Sequence, residues 1–386
     1  MAESTFSKIA IRSQNCSSIL GRSATHRLPS EAKCSLRFRN SLPCALRHSR
    51  HASLVHEPRL LPRLSAQLAA SRALPPTRAM KDDLPSKTAC LVAAYRGLAA
   101  HLPPKLASLA PDPYGVRLAG WPYTAVDALA RLPLLGRLIM NSLFRPGSCA
   151  MAARTRVIDD AVRAAVSRGT RQVLILGAGL DARSLRLSNE LHAEVTFFEV
   201  DHPASQKAKR MRLARMAVPQ NALRNVRYIA HDFEANGEEP LAGKLASQSF
   251  DATRPALVIL EGVLMYLTPE TVAATFELVS TLCAARSTVA FTYITRAPPP
   301  TGMVDRSRLL YTRPFLFWLR FVAHEPWTFW GWASNEQLSQ FLEHHRFRLA
   351  WCDSYIQVAR RSAGLTEDEL SGTRLWREHC AVAERM

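Results

Sequence analysis

The pattern of apolar and polar positions from Leu84 onward predicts helices that alternate with buried strands. Apolar residues recur at helical spacing in SKTACLVAAYRGLAAHL, and Pro103 and Pro104 end that helix. A longer helix, MAARTRVIDDAVRAAVSRG, carries one continuous apolar face, and Gly169 suits the left-handed position beyond its end. The N-terminal part of the folded region is therefore predicted to be helical.

The segment that follows alternates between strands and helices. RQVLILGAG is an unbroken apolar run ending in glycines, as expected for a central parallel strand that is buried on both faces. VTFFEV, VRYIA, ALVIL and STVAFTYI follow with helices between them, and FRLAWC and SYIQVA are predicted as the last two strands. The fold class is thus α/β, with a doubly wound, mostly parallel, seven-stranded Rossmann-like sheet and an N-terminal helical extension.

One stretch interrupts this alternation. RAPPPTG breaks the pattern after STVAFTYI, and the aromatic-rich segment SRLLYTRPFLFWLRFVAHEPWTFWGW follows it. Arginines inside this segment exclude a membrane span. We expect it to form a lid over one end of the sheet, and Ser334 with Gln337 to begin the helix after it as a capping box.

The charge distribution sets residues 1–80 apart from the rest of the chain. The protein has 50 Lys and Arg against 32 Asp and Glu, a net charge of +18, and residues 1–80 alone contribute +10 through 13 basic and three acidic residues. This segment is rich in Ser, Arg, Ala and Leu and has no sustained period, which is typical of an organellar transit peptide. We predict a disordered presequence over 1–80, read by organellar import machinery, and a folded domain over 81–386.

The same composition narrows the location and the partners. The Met-Ala start and the serine content favour a plastid over a mitochondrion, and a basic tail on a cytoplasmic protein is the alternative. Nucleic-acid binding is disfavoured because more than half of the excess charge lies in the presequence. No membrane span and no metal are expected, since no long apolar run and no paired Cys or His spacing occurs.

The candidate chemistry begins at the glycine turn that runs from Gly177 to Ala182, where the first strand passes into a helix. Glycines at this position let a ligand approach the backbone beyond the carboxyl end of a central strand. The turn also fits the G-x-G-x-x-[GA] pattern of NAD(P) and FAD proteins, so an oxidoreductase is an alternative. Asp181 argues against a pyrophosphate there and suits a cationic ligand, although it could equally cap the next helix.

S-adenosylmethionine fits the acids that follow the other strands. Asp201 ends the second strand, 24 residues after the first glycine of the turn, where a carboxylate can accept hydrogen bonds from both ribose hydroxyls, and Glu199 is the alternative partner. Asp232 and Phe233 follow the third strand, where an acid can meet the adenine amino group and a ring can pack on the base. Glu261 ends the fourth strand and would face the reacting methyl group.

These motifs resemble a known family. VLILGAGLDARSLRL, FFEVDHPASQKAKR, HDF and LEGVLMYLTPETV together resemble the leucine carboxyl methyltransferase family of class I S-adenosylmethionine enzymes, including its bacterial and polyketide O-methyltransferase branch. The resemblance covers about residues 84–360 and implies a methyltransferase that uses S-adenosylmethionine. The acceptor end, TGMVDRSRLLYTRPFLFWLRFVAHEPWTFWG, has no residue-level match, so the identity of the acceptor does not carry over.

The resemblance also implies residue roles. Arg154 would grip the methionine carboxylate, with Arg156 as the fallback. Glu261 would contact the methionine ammonium or shape the methyl-transfer side, and Tyr266 would border the acceptor. The remaining cofactor positions implied are Gly177 and Gly179 at the methionine part, Asp201 at the ribose, and Asp232 with Phe233 around the adenine.

The reaction expected is O-methylation of a carboxylate or hydroxyl on a small molecule, with a protein C-terminal carboxylate as an alternative acceptor. A carboxylate is already ionised at neutral pH and needs no base, whereas a hydroxyl needs one. Glu261 and Tyr266 are the candidates for that base. The basic helix that contains Lys207 and Lys209 is interpreted as a solvated face.

Overall fold

A twisted sheet of apolar strands organises the computed structural model, which describes residues 86–188, 190–191, 194–233, 239–295, 317, 319–325, 327–364 and 378–386. The predicted presequence and the RAPPPTG break lie outside these residues, as does the first part of the aromatic insertion. The described residues all fall within one structural unit, Arg78–Met386. Among them, no helix is both long enough and apolar enough to cross a lipid bilayer.

The helices and strands alternate in the predicted order as far as β6. In chain order they are α1 (Lys87–Leu98), α2 (Pro104–Ala107), α3 (Gly115–Ala119), α4 (Tyr123–Ala130), α5 (Pro133–Ile139), a π-helical turn (Met140–Phe144), α6 (Arg145–Ser167), β1 (Gln172–Leu176), α7 (Arg183–Ser188), β2 (Thr196–Asp201), α8 (Pro203–Arg215), α9 (Gln220–Leu223), β3 (Val226–Ala230), α10 (Leu241–Ser247), β4 (Ala256–Leu260), a 3₁₀ turn (Leu264–Tyr266), α11 (Pro269–Leu282), β5 (Thr288–Ile294), a π-helical turn (Leu319–Ala323), α12 (Asn335–His344), β6 (Phe347–Ser354), α13 (Tyr355–Ala363) and β7 (Glu378–Arg385).

The strands form a seven-stranded sheet with the order β3-β2-β1-β4-β5-β7-β6. β1 pairs in parallel with both β2 and β4, and β7 is antiparallel to its neighbours β5 and β6. The chain winds outward from β1 in one direction and from β4 in the other, so the topological switch point lies between these two strands. Ligands of doubly wound sheets bind beyond the carboxyl ends of the strands at such a point.

Burial follows the position of each strand in the sheet. All residues of β1, β4 and β5 are buried, because helices cover both faces of the central strands. The edge strand β3 is only partly buried. The unbroken apolar runs in the sequence therefore predicted the central strands correctly.

The predicted capping box at Ser334 forms in part. Ser334 accepts a hydrogen bond from the Gln337 amide at the start of α12, but the Gln337 side chain accepts from the Ala333 amide, at 3.1 Å, instead of from that of Ser334. Thr268 likewise accepts a hydrogen bond from the Thr271 amide at the start of α11. Gly169 has a φ of +97° after the end of α6. These short-range features follow from backbone chemistry alone.

The predicted strand SYIQVA is wrong, because this segment is the helix α13. Ser354 and Gln357 form a reciprocal capping box at its start, and Tyr355, Val358 and Ala359 are buried at helical spacing. The last strand is instead β7, which inserts antiparallel between β5 and β6. Its sequence, EHCAVAER, contains good helix formers, so only pairing with two neighbours makes it a strand.

Candidate active site

The register of the sheet brings three candidate residues to one level. Leu176 pairs with Val200, and Ile175 pairs with Ile259. Extending these two registers to Gly177, by one residue from Leu176 and by two from Ile175, aligns it with Asp201 at the end of β2 and with Glu261, the residue after β4. The carboxyl ends of the three strands around the switch point thus carry a glycine turn flanked by two carboxylates.

The glycine turn is held against β2 by its own backbone. The Gly177 and Ala178 amides donate to the Val200 carbonyl at 2.9 and 3.0 Å. Gly177 has a φ of +71°, and a Cβ there would stand 2.4 Å from a methyl carbon of Val263. Only glycine lets the turn and the loop after β4 approach this closely.

Asp201 closes the other side of the turn. Its carboxylate accepts hydrogen bonds from the Gly179 amide and, at 2.6 Å, from the His202 amide. Burial raises the pKa of Asp201, and the two backbone donors act in the opposite direction. The two hydrogen bonds therefore fix the orientation of the Asp201 carboxylate at the rim of the glycine turn.

The space beside Gly179 suits a ribose. A side chain at Gly179 would point between the Cβ of Ala89, at 3.5 Å, and an Asp201 carboxylate oxygen, at 3.9 Å. The glycine leaves this space to a ligand, and the carboxylate beside it can accept hydrogen bonds from a pair of hydroxyls. The geometry therefore fits the nucleoside part of S-adenosylmethionine.

Glu199, the alternative ribose partner, is committed elsewhere. It is 1% exposed, and its two carboxylate oxygens accept from the Ser184 hydroxyl at 2.8 Å and from the Lys209 ammonium at 2.6 Å. The interpretation of the Lys209 helix as a solvated face is therefore wrong at this position, since Lys209 is 2% exposed. Of the two acids considered as ribose partners, Asp201 is therefore the one that lies at the rim of the glycine turn.

Arg154 and Glu261 form a buried ion pair at the opposite side of the turn. The Arg154 Nε donates to Glu261 Oε1 at 2.7 Å, and both side chains are 6% exposed. Arg156, the fallback, pairs with Asp160 on its own helix at 2.7 Å instead. The structure thus brings Arg154 and Glu261 together and leaves Arg156 out of this cluster.

Arg183 is the residue that sequence reasoning missed. Its guanidinium is 1% exposed and binds three carboxylates, with 2.7 Å to Glu261, 2.8 Å to Asp159 and a closer contact to Asp181. Arg186 makes two further hydrogen bonds to Asp159, at 2.7 and 3.1 Å. Three arginines and three carboxylates therefore balance in this cluster.

Asp181 takes the capping role that the sequence left open. Its carboxylate accepts from the Arg183 amide at 2.7 Å, at the start of α7, and pairs with the Arg183 guanidinium. The pattern L-D-A-R contains the signal, because an acid two residues before an arginine can bind both its amide and its side chain. The deciding contacts to Asp159 and Glu261 are long-range and have no local sequence signature.

The paired charges set the ionisation states. Burial opposes ionisation of Glu261, but Arg154 and Arg183 outweigh burial and lower the pKa of Glu261 well below its usual range. Burial likewise opposes the charge on Arg183, and Asp181, Glu261 and Asp159 hold its pKa well above the usual range. Glu261 is therefore a carboxylate at neutral pH and a weak proton acceptor.

The helical extension holds the turn from outside the sheet. Arg96 of α1 donates to the Leu180 carbonyl at 2.6 Å and to Asp112 at 2.9 Å. Asp112 in turn accepts from the Tyr114 amide at 3.1 Å. Arg96 and Asp112 thus act together to position the glycine turn.

The predicted adenine end lies beyond β3. The Phe233 side chain is 39% exposed, and its ring lies edge-on to His231 at 4.9 Å between centroids. Asp232 lies 3.7 Å from a ring nitrogen of His202, the residue next to Asp201. The structure therefore places both predicted residues near Asp201, with an accessible aromatic ring.

Tyr266 lies where the helical extension meets the aromatic insertion. Burial raises the pKa of its hydroxyl, and hydrogen bonds with Trp327 and Thr88 act in the opposite direction. Beside it, Ser86 donates to Glu325 at 2.8 Å. The Thr328 amide donates to the Met265 carbonyl, also at 2.8 Å. The described part of the insertion therefore forms a wall beside Tyr266, between the start of α1 and the 3₁₀ turn after β4.

Comparison with known proteins agrees with the family that the sequence motifs resemble. The model of the leucine carboxyl methyltransferase family matches residues 89–280. A protein of Mycolicibacterium gilvum named "Putative S-adenosyl-L-methionine-dependent methyltransferase" is 37% identical over 56% of this chain and 67% of its own length. A protein of Mycobacterium marinum with the same name is 35% identical over 57% of this chain and 69% of its own.

A solved structure shows lower similarity. It is described as "a putative methyltransferase from Thermobifida fusca", with 16% sequence identity and a TM-score of 0.46, and the alignment covers 78% of this chain and 95% of that one.

Proposed function

Because the chain belongs to the leucine carboxyl methyltransferase family and is an S-adenosylmethionine-dependent methyltransferase, we propose that it methylates the carboxylate oxygen of a small molecule. The observation that carries this proposal is that both carboxylate oxygens of Glu261 already accept hydrogen bonds from arginines, one from Arg154 and one from Arg183, at 2.7 Å each. In line with this geometry the two arginines lower the pKa of Glu261, and burial raises the pKa of Tyr266, so neither side chain is suited to take a proton from a hydroxyl at neutral pH. A carboxylate acceptor needs no such transfer.

The residues that would hold S-adenosylmethionine are complementary to it in charge. The Arg154 and Glu261 pair matches the carboxylate and the ammonium of an amino-acid end, which like the pair has no net charge. Arg183 binds the other oxygen of Glu261 and keeps this carboxylate in place. Asp201 would hold the ribose, and Asp232 with Phe233 the adenine. When bound, the cofactor supplies a methyl group on a positively charged sulfur.

The protein's own contribution would be alignment and exclusion of water. The sulfonium and the acceptor carboxylate both lose charge during transfer, so water, which stabilises charged reactants, slows the reaction. The wall formed by α1 and residues 319–325 and 327–332 limits access beside Tyr266. Holding the oxygen and the methyl group in line can supply up to about 7–11 kcal/mol.

The test is a screen for methyl acceptance with labelled S-adenosylmethionine. Small carboxylic acids, phenols and peptides ending in a free carboxylate are compared, and the products are treated with mild alkali. Methyl esters release volatile methanol, whereas methyl ethers are stable. Label transfer to phenols alone, stable to alkali, would show the proposal to be wrong, and transfer to peptides alone would replace the small molecule with a protein C-terminus.

We also propose that residues 1–80 direct the protein to a plastid. The support is the segment's charge of +10 and its shortage of acids. A fusion of residues 1–80 to a fluorescent protein, expressed in a photosynthetic eukaryotic cell, should enter the plastid. Retention in the cytoplasm would contradict the proposal, and accumulation in mitochondria would correct the compartment.

A further inference from the structure

Helices α4 and α5 expose an apolar surface far from the glycine turn in sequence. No residue of α4 is buried, and in α5 only Gly136 is buried. Trp121 and Leu134 are each 84% exposed, and Leu138 is 64% exposed. An amphipathic helix of a globular protein normally turns its apolar side inward. α4 follows this rule in part, since Tyr123, Val126 and Ala130 pack against the core, whereas α5 leaves its leucines in water.

The exposed side chains form one surface. Leu134, Leu135 and Leu138 share a face of α5 by helical spacing, and α5 runs directly into the π-helical turn that carries Leu143, 67% exposed. We call this the leucine surface and define it by Leu132, Leu134, Leu135, Leu138 and Leu143. Clustered exposed apolar residues of this kind mark an interaction site more often than scattered ones do.

A basic groove adjoins the leucine surface. It has a volume of about 520 Å³ and is lined by Arg131, Arg137 and Arg145, together with apolar residues that include Leu132 and Met140. None of the described residues that line it carries a carboxylate. The nearby Asp127 is engaged by Arg131 and by His101, at 2.8 Å each. The three arginines of the groove therefore lie before, within and after α5, the helix that carries the exposed leucines.

We propose that the leucine surface and its basic groove dock onto a membrane that contains anionic phospholipids. Leucines would enter the boundary between headgroups and acyl chains, and the arginines would contact lipid phosphates, as interfacial basic helices do. The inference is independent of the acceptor and of the methyl transfer chemistry.

The charge of the groove favours a lipid surface over a second copy of this chain. A symmetric dimer through this surface would place Arg131, Arg137 and Arg145 of both copies close together, and like charges oppose such contact. Phosphate headgroups instead provide the complementary charge. Helix α5 also presents its leucines outward, which suits a lipid layer that they can enter.

The experiment measures binding of the full chain to vesicles by sedimentation at physiological salt. Vesicles of phosphatidylcholine with one fifth phosphatidylglycerol are compared with pure phosphatidylcholine. Two double variants are tested, Leu134→Gln with Leu138→Gln, and Arg131→Gln with Arg137→Gln. The matched controls are Met211→Gln, an exposed apolar residue on α8, and Arg348→Gln, an exposed arginine on β6.

We expect the full chain to bind the anionic vesicles, and each double variant to lower its partition coefficient at least about tenfold. The controls should stay within about twofold of the unchanged protein. The basic N-terminal segment is present in every protein and adds the same binding to each, so the variant that combines all four substitutions measures this background, which is subtracted before the comparison. Circular dichroism checks that each variant is folded, and exposed positions make loss of folding unexpected.

Three results would overturn the proposal. The first is vesicle binding that both double variants retain, which would place the lipid contact elsewhere. The second is a lack of binding by the unchanged protein to either vesicle. The third is a dimer in light scattering that Leu134→Gln with Leu138→Gln dissociates while vesicle binding is unchanged, which would assign the surface to a second copy.

Discussion

The charge cluster behind Glu261 and the leucine surface of α5 depart from the usual distribution of residues in opposite directions. Behind Glu261, charged side chains such as Arg183, 1% exposed, are almost completely withdrawn from water. On α5, Leu134 is 84% exposed. The comparison teaches that a buried charged side chain needs oppositely charged partners supplied by the fold itself. Exposed leucines lower the stability of the fold little, and they can be buried only by a binding partner outside this chain.

The largest expected effect comes from breaking the charge cluster. Arg183→Met keeps the side-chain volume but leaves Asp159, Asp181 and Glu261 short of a buried partner, so the free energy of unfolding should fall by about 3–5 kcal/mol. Urea unfolding followed by tryptophan fluorescence measures it. Arg348→Met removes an exposed pair with Glu384 and should cost about 0–1 kcal/mol. Equal losses in the two variants would refute the distinction.

The next effect concerns cofactor affinity at the two sides of the glycine turn. Arg154→Ala and Asp201→Ala should each weaken binding of S-adenosylhomocysteine at least about tenfold, or about 1.4 kcal/mol, because each removes a charge-assisted contact. Calorimetric titration measures the affinity. Arg156→Ala, two residues along the same helix, is the matched control and should remain within about twofold. Unchanged affinity in both Arg154→Ala and Asp201→Ala would contradict the assignment of the cofactor pocket to these residues.

The pH dependence of that affinity sharpens the assignment of Asp201. Its raised pKa means that Asp201 takes up a proton at a higher pH than an ordinary aspartate does. The protonated group is a poorer acceptor for ribose hydroxyls, so affinity should fall as the pH is lowered from 7 toward 4.5. Asp201→Asn should bind more weakly at pH 7 and show a flatter profile. An identical profile in this variant would assign the titration to another group.

A smaller effect is expected at Tyr266. Its raised pKa keeps the hydroxyl protonated, so Tyr266→Phe should change kcat for a carboxylate acceptor by less than about threefold. The measurement is the initial rate at saturating cofactor with the acceptor found in the screen. A loss of about a hundredfold would instead identify Tyr266 as a group that acts on a proton, and would favour a hydroxyl acceptor.

The smallest effect is expected on the leucine surface. Leu134→Ser with Leu138→Ser should change the free energy of unfolding by no more than about 0.5 kcal/mol, because both side chains already face water. Leu257→Ala in the buried strand β4 is the contrast and should cost about 2–5 kcal/mol. A large loss in the surface variant would show that these leucines support the fold.

Much of the fold was predictable because its signals are local. Central strands read as unbroken apolar runs, and hydroxyl caps marked the starts of α11 and α12. The segment of α13 was mistaken for a strand because Ile356, Val358 and Tyr355 favour strands by composition. The capping box formed by Ser354 and Gln357 instead begins a helix there.

The candidate site was predictable only in outline. Strand order follows from the doubly wound pattern, and this pattern puts the turn near Asp201 and Glu261 at one edge. The sequence pattern did not predict which charged side chains pair with one another there. Lys209 was expected in solvent and is buried against Glu199, since helix α8 packs with that side of its surface toward β2. Pair contacts between elements depend on packing angles that no local pattern encodes.

The sequence by itself determined the alternation of strands and helices, the family, the glycine turn and the acids that end the strands, because periodicity and turn chemistry act between near neighbours. Only the tertiary structure decided that Arg154, rather than Arg156, pairs with Glu261, and that Arg183 joins three carboxylates from separate segments. The physical reason is distance along the chain. A buried charge selects its partner by proximity in the folded core, where an unpaired charge is costly.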